Sequence, residues 1–184
     1  NLGYKRYEAL IEIGRALKKI TNGSVFLDVY STEPRKEILT LLNRDNGIDF
    51  KGAVNYSEVT EIMKKSDILI HVESMDCLCR EQVRYSVSTK IADSLACGTC
   101  LFAYGPGDVA SIEYLRDNDC ACVVTDKKQL EDVLSKILFD KNLRNEYVNR
   151  ALNAASENHN IDTNAVKFRK IITEAVENHE SNAN

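Results

Sequence analysis

The sequence predicts an α/β fold, a parallel sheet covered on both faces by helices, and two observations carry that expectation. Short apolar runs of strand length, such as Asp67-Ile-Leu-Ile-His71 and Cys100-Leu-Phe-Ala-Tyr104, alternate with stretches of helical periodicity along most of the chain. The connections between successive strands are long enough to hold a helix, which parallel neighbours require and antiparallel hairpins do not.

The elements follow in order. Leu10, Ile13, Leu17 and Ile20 recur at helical spacing, and Asn22-Gly23 stops that helix before Ser24-Val-Phe-Leu-Asp-Val-Tyr30, which reads as a buried strand. A helix from about Arg35 to Asn43 leads to a strand at Ile48-Asp-Phe-Lys51, and another from Tyr56 to Lys65 leads to Asp67-Ile-Leu-Ile-His-Val72. Residues 75 to 84 are polar and read as a long loop, of the kind that more often serves function than mere connection. The alternation resumes with residues 87–97, 99–104, 108–118, 121–125 and 127–139. Two helices without a partner strand, 142–157 and 164–178, follow, and residues 179–184 are expected to fray. The domain division is therefore 1–139 for the sheet domain, 140–178 for its terminal helices and 179–184 for a tail. Asn1-Leu2-Gly3 turns directly into a helix with no strand before it, whereas an α/β unit starts with a strand. The expectation is a piece of a longer chain whose first strand lies upstream.

Composition narrows the function. With 43% hydrophobic and 28% charged residues the chain has the makeup of an ordinary globular domain large enough for a substantial core. A formal charge of −4 argues against broad binding to nucleic acid, though not against a local basic pocket for a small anion. No apolar run is long enough for a transmembrane helix and no signal-like leader is visible, so the expected location is cytoplasmic. The six cysteines form three close pairs, but Cys97 falls at a predicted helix end, Cys100 opens a strand and Cys120 and Cys122 flank or lie in another, as apolar core residues do, and nothing suggests secretion, so neither zinc nor disulfides are expected.

In open α/β sheets ligands sit at the carboxyl ends of the strands, and two phosphate-like stretches lie at such places. Ser86-Val-Ser88-Thr89-Lys90 opens a helix, where free N–H groups, the helix dipole and a lysine favour an anion; capping and a solvated lysine explain the same residues without a ligand. Gly105-Pro106-Gly107-Asp108-Val109-Ala110 matches the dinucleotide pattern G-x-G-x-x-A, with Asp126 about twenty residues on. It follows a late strand, however, and Pro106 removes an N–H, so a glycine–proline turn with Asp108 as helix cap is an equal account. Glu73, directly after a strand, and Glu81 are acidic candidates, while Asp93 stands one turn after Lys90. His71 is an acid–base candidate or a satisfied core histidine. Lys5 and Arg6 stand at a helix start, where the dipole disfavours cations unless an anion lies opposite.

Taken as an ordered series, Asn1-Leu-Gly-x-x-Arg6, Gly52-Ala-Val-x-Tyr56, Ser66-Asp67-Ile-Leu-Ile-His71, Ser88-Thr-Lys-Ile-x-Asp93-x-Leu-Ala-x-Gly98 and Tyr104-Gly-Pro106 resemble the C-terminal half of retaining GT-B glycosyltransferases, specifically glycosyltransferase family 4. The resemblance covers about residues 1 to 139 and implies a Rossmann-like three-layer α/β domain. It implies binding of a nucleotide-sugar donor, of UDP or GDP type, with no metal or other cofactor, and hexosyl transfer to an acceptor hydroxyl. By position it implies that Arg6, Ser88, Thr89 and Lys90 meet the donor diphosphate and that Asp93 meets the ribose. The first acid of the family's Glu-x7-Glu motif is Tyr85 here, so Glu73 or Glu81 stands in as the sugar-contacting candidate, and no catalytic residue is assigned. The acceptor half would be an N-terminal domain outside these 184 residues, through which peripheral membrane association could occur, and the piece alone would be inactive. The remaining alternatives are an NAD-dependent oxidoreductase domain centred on Gly105 and Gly107, or a non-catalytic interaction domain.

Overall fold

The computed structural model describes residues 2–182, with side chains to residue 176. Asn1 and residues 183–184 of the expected tail lie outside the described residues. The chain alternates as α1 (Arg6–Ile20), β1 (Leu27–Tyr30), α2 (Lys36–Leu39), β2 (Ile48–Gly52), α3 (Tyr56–Lys65), β3 (Ile68–Val72), α4 (Cys77–Val83), α5 (Lys90–Ala96), β4 (Cys100–Tyr104), α6 (Ala110–Asp117) and β5 (Cys122–Val124). Three helices follow, α7 (Leu130–Phe139), α8 (Lys141–Asn158) and α9 (Ile161–Asn182). Short 3-10 turns at Arg44–Asn46 and Lys127–Gln129 precede β2 and α7.

All strand pairs are parallel, as the helical connections require, but they form two sheets: β1 with β2, and β3-β4-β5 with β4 in the middle. Among the described residues β1 and β3 are not hydrogen-bonded to each other. One helix joins the two sheets. Gly14 of α1 packs so closely on Asn46, Gly47 and Ile48 that no Cβ would fit, while Glu12 accepts a hydrogen bond from Tyr104 of β4 at 2.6 Å.

β4 is buried along its whole length, and its side chains alternate between two cores. Cys100, Phe102 and Tyr104 pack with α1 and α7, including Leu10, Ile13, Leu17, Leu130 and Leu134. Leu101 and Ala103 face the opposite side, against Ile91 and Leu95 of α5, Ile112 and Leu115 of α6 and three alanines of α8. The result is three layers. The buried cysteines are core residues, and all six thiols are free.

Local signals explain the ends. α1 stops where Thr21 Oγ1 donates to Leu17 O at 2.8 Å and Gly23, at φ 77°, sends its N–H back to Lys18 O. α3 starts where the Glu58 carboxylate accepts the Asn55 amide at 3.0 Å. The expected loop at 75–84 is largely helical instead: Asp76 accepts from the amides of Leu78 and Cys79 and so starts α4 within a polar run. The helix expected from Arg35 to Asn43 shrinks to α2, and α9 extends to Asn182.

Candidate functional site

The carboxyl ends of β3 and β4 gather most of the charged candidates. The chain enters α1 through two successive left-handed residues, Tyr4 and Lys5, each at φ 54°, a conformation that costs about 1–2 kcal/mol per non-glycine residue. The turn is held by the contacts it delivers. Lys5 Nζ lies 2.5 Å from Asp76 Oδ2, and Arg6 places Nε at 2.9 Å and Nη2 at 2.8 Å from Glu73 Oε2. Glu73 is only 1% exposed; its amide donates to Tyr104 O, and His71 Nε2 stands 3.5 Å from its other oxygen. A carboxylate so far from water requires a cationic partner. The anions opposite Lys5 and Arg6 are therefore the protein's own. The Lys5 ammonium, with the Cys79 amide, holds the Asp76 carboxyl down to about 2.

Of the two accounts of the Gly105 to Ala110 stretch, one makes Asp108 a helix cap, but Val109 occupies the N-cap of α6 and the Asp108 carboxylate pairs with Arg80, with Arg84 Nε at 3.8 Å. The Arg80 guanidinium is the main reason that the Asp108 carboxyl lies below its ordinary range. The glycine–proline turn is packed against protein. A Cβ on Gly105 would lie 2.9 Å from Glu73 Cβ and 3.1 Å from Ile112, and the Gly107 carbonyl accepts from Arg116 Nη1 at 2.9 Å. Asp126, about where the dinucleotide pattern wants an acid, caps the 3-10 turn through the Lys128 amide.

The corner before α5 differs. Lys90 and Thr89 are exposed, no side chain caps the helix, and among the described residues neither amide has an acceptor and Lys90 has no ion pair. Ser88 is half-buried and its amide donates to Ser111 Oγ at 3.0 Å; that hydroxyl donates in turn to Ser86 O at 3.1 Å. Asp93 lies exposed one turn along α5, unpaired among the described residues. Glu81 is exposed on α4, 3.7 Å from Arg84, so the structure does not bring it to Glu73.

Sequence reasoning thus found the charges but missed Asp76, Arg80 and Ser111. An Asp two and three residues before apolar helix positions was the available signal for Asp76; for Ser111 the sequence held none. Among the described residues no group of His, Cys, Asp or Glu converges to hold a metal, and no helix is long and apolar enough to cross a membrane.

The glycosyl transferase-like family matches residues 14–170, which include Glu73, Glu81, Ser88, Thr89, Lys90, Asp93 and Ser111 but not Lys5 or Arg6. The chain belongs to the glycosyl transferase-like family. Two solved structures share the fold of this glycosyl transferase-like chain, an α/β domain of the GT-B type. One is WaaG, a glycosyltransferase involved in lipopolysaccharide biosynthesis, at 22% identity and a TM-score of 0.64 over 85% of this chain and 40% of that one. The other is alpha,alpha-trehalose 6-phosphate synthase from Burkholderia multivorans, at 12% identity and a TM-score of 0.64 over 97% of this chain and 42% of that one. The chain thus spans about two fifths of the length of either structure. Curated protein sequences gave no match.

Proposed function

We propose that this chain is the donor-binding, C-terminal half of a retaining glycosyltransferase of family 4 type, acting in the cytoplasm on a UDP- or GDP-sugar without a metal. The observation that carries the reading is Lys90, unpaired among the described residues beside two unfilled amides at the corner before α5, whereas Lys5, Arg6, Arg80 and Arg84 at the neighbouring strand ends all face carboxylates. Departure of a diphosphate needs stabilisation of developing negative charge, and an ammonium with oriented N–H groups supplies it. Thr89 and Lys90 take the diphosphate, Ser88 adds its hydroxyl and Asp93 takes the ribose. Arg6, neutralised by Glu73, contributes through the shape of the rim, and Glu73 contacts the sugar only if Arg6 moves away. The packed Gly105 favours a structural turn over a dinucleotide cradle.

The acceptor half belongs to chain outside these residues, and a strand preceding α1 fits beside β1, because β2 fills only one of its edges. Two fifths coverage of the solved structures is consistent with that division, and the piece alone transfers no sugar. Calorimetric titration with UDP, GDP, UDP-glucose and NAD tests the reading. A saturable nucleoside diphosphate, weakened about tenfold by Lys90→Ala as loss of a charge-assisted contact requires, supports it. Tighter binding of NAD, or a Lys90→Ala isotherm that overlays the parent, rejects it.

A further inference from the structure

Residues 84–89, Arg-Tyr-Ser-Val-Ser-Thr, separate α4 from α5 without a glycine or proline to break a helix. Both ends of the segment are helical, Arg84 at φ −49°, ψ −45° and Thr89 at φ −59°, ψ −24°. The interruption between them has another source. A helix running through would pair the Ser88 amide with Arg84 O and the Lys90 amide with Ser86 O. Instead Arg84 O accepts the Ala110 amide at 2.7 Å, and the Ser111 hydroxyl takes both the Ser88 amide, at 3.0 Å, and Ser86 O, at 3.1 Å. Two consecutive residues of the first turn of α6 thus engage three of the groups that would close α4 and α5 into one helix. Ser111 is fully buried, so its hydroxyl has no water to turn to.

We infer that the first turn of α6 is a clasp that keeps residues 77–96 from closing into one helix, with Ser111 the positioning residue that leaves the Thr89 and Lys90 amides open. For function the inference rests on the donor-corner reading above. It also joins the two phosphate-like stretches of the sequence: the Gly105-Pro106-Gly107 turn aims α6, and α6 shapes the Ser88–Lys90 corner. Serine suits the task because one small hydroxyl both donates and accepts.

The test uses the 184-residue chain and three variants. Ser111→Ala removes the hydroxyl and Ser111→Thr keeps it. Ala110→Pro deletes the neighbouring N–H at a helix position that tolerates proline, after a Val109 whose φ −87° and ψ 127° suit a residue before proline. Because it leaves the buried hydroxyl intact, a folding failure of one variant does not silence the test. Amide hydrogen exchange at Thr89 and Lys90 and titration with UDP, GDP and inorganic pyrophosphate are the readouts. In Ser111→Ala and Ala110→Pro the two amides become protected as the helix extends, diphosphate binding weakens about tenfold, and Ser111→Thr restores both. Unchanged exchange at these amides in both disruptive variants overturns the clasp. Altered exchange with unaltered affinity overturns the positioning role. Failure of the parent chain to bind any of the three ligands sinks the donor reading, while exchange still reports on the clasp.

Discussion

The rim at the end of β3 and the corner before α5 carry similar residues to opposite ends. At the rim, Lys5, Arg6 and Arg80 each meet a carboxylate of the same chain, and Glu73 is buried in the process. At the corner, Lys90 meets nothing within the described residues and its helix start is uncapped. A cation already matched contributes shape, whereas an unmatched one is available to a ligand. Composition of a polar cluster therefore says less about binding than its pairing does.

The largest effect that separates the two regions is expected at Glu73. Glu73→Gln leaves Arg6 half-enclosed with no countercharge and lowers stability by about 2–4 kcal/mol, measured by urea unfolding. A loss as small as that of a surface substitution would show that the pair is not structural. Gly105→Ala comes next, at about 1–3 kcal/mol, because Glu73 Cβ and Ile112 occupy the place of the new methyl. If Gly105 instead served only a ligand, the variant would unfold like the parent.

A smaller effect lies in the acid limb of stability. The Asp76 carboxyl is held at about 2, below its ordinary 3.8, so its contribution is present above pH 3.8 and is lost as pH falls through about 2. Asp76→Asn should flatten that part of the stability profile, and an unchanged slope between the two values would mean that the Lys5 pair is not formed in solution. The smallest effect is Lys90→Ala on stability, within about 0.5 kcal/mol of the parent despite its effect on binding. A large loss there would mean that Lys90 belongs with the paired rim after all.

Much of the fold was legible because it rests on local periodicity. The apolar spacing of α1 and the run of β4 announce themselves within a few residues, and the parallel pairing follows from connection length. The helix α4 was missed because its start depends on one aspartate in a polar run, too short for periodicity to show. The division into two sheets was also out of reach, since which strand bonds to which is decided by residues far apart in the chain. At the site, the residue types at Arg6 and Ser88–Lys90 were visible, but not the partners that give them different roles. Arg6 and Glu73 are 67 positions apart, and Ser111 meets Ser88 across 23, so neither contact leaves a local trace.

The place of α1 has a consequence in time. Glu12 receives Tyr104 on one oxygen and Lys127, 115 positions later, on the other, both at 2.6 Å, and Lys19 reaches Glu131 across 112. A ribosome adding roughly 5–20 residues per second makes α1 wait on the order of ten seconds for its last partners. Through that interval its apolar face, Leu10, Ile13 and Leu17 among others, has no α7 to cover it. A helix made before all five strands described here is thus among the last of these elements to be finished, and until then chaperones and proteases can reach the surface that later joins the two sheets.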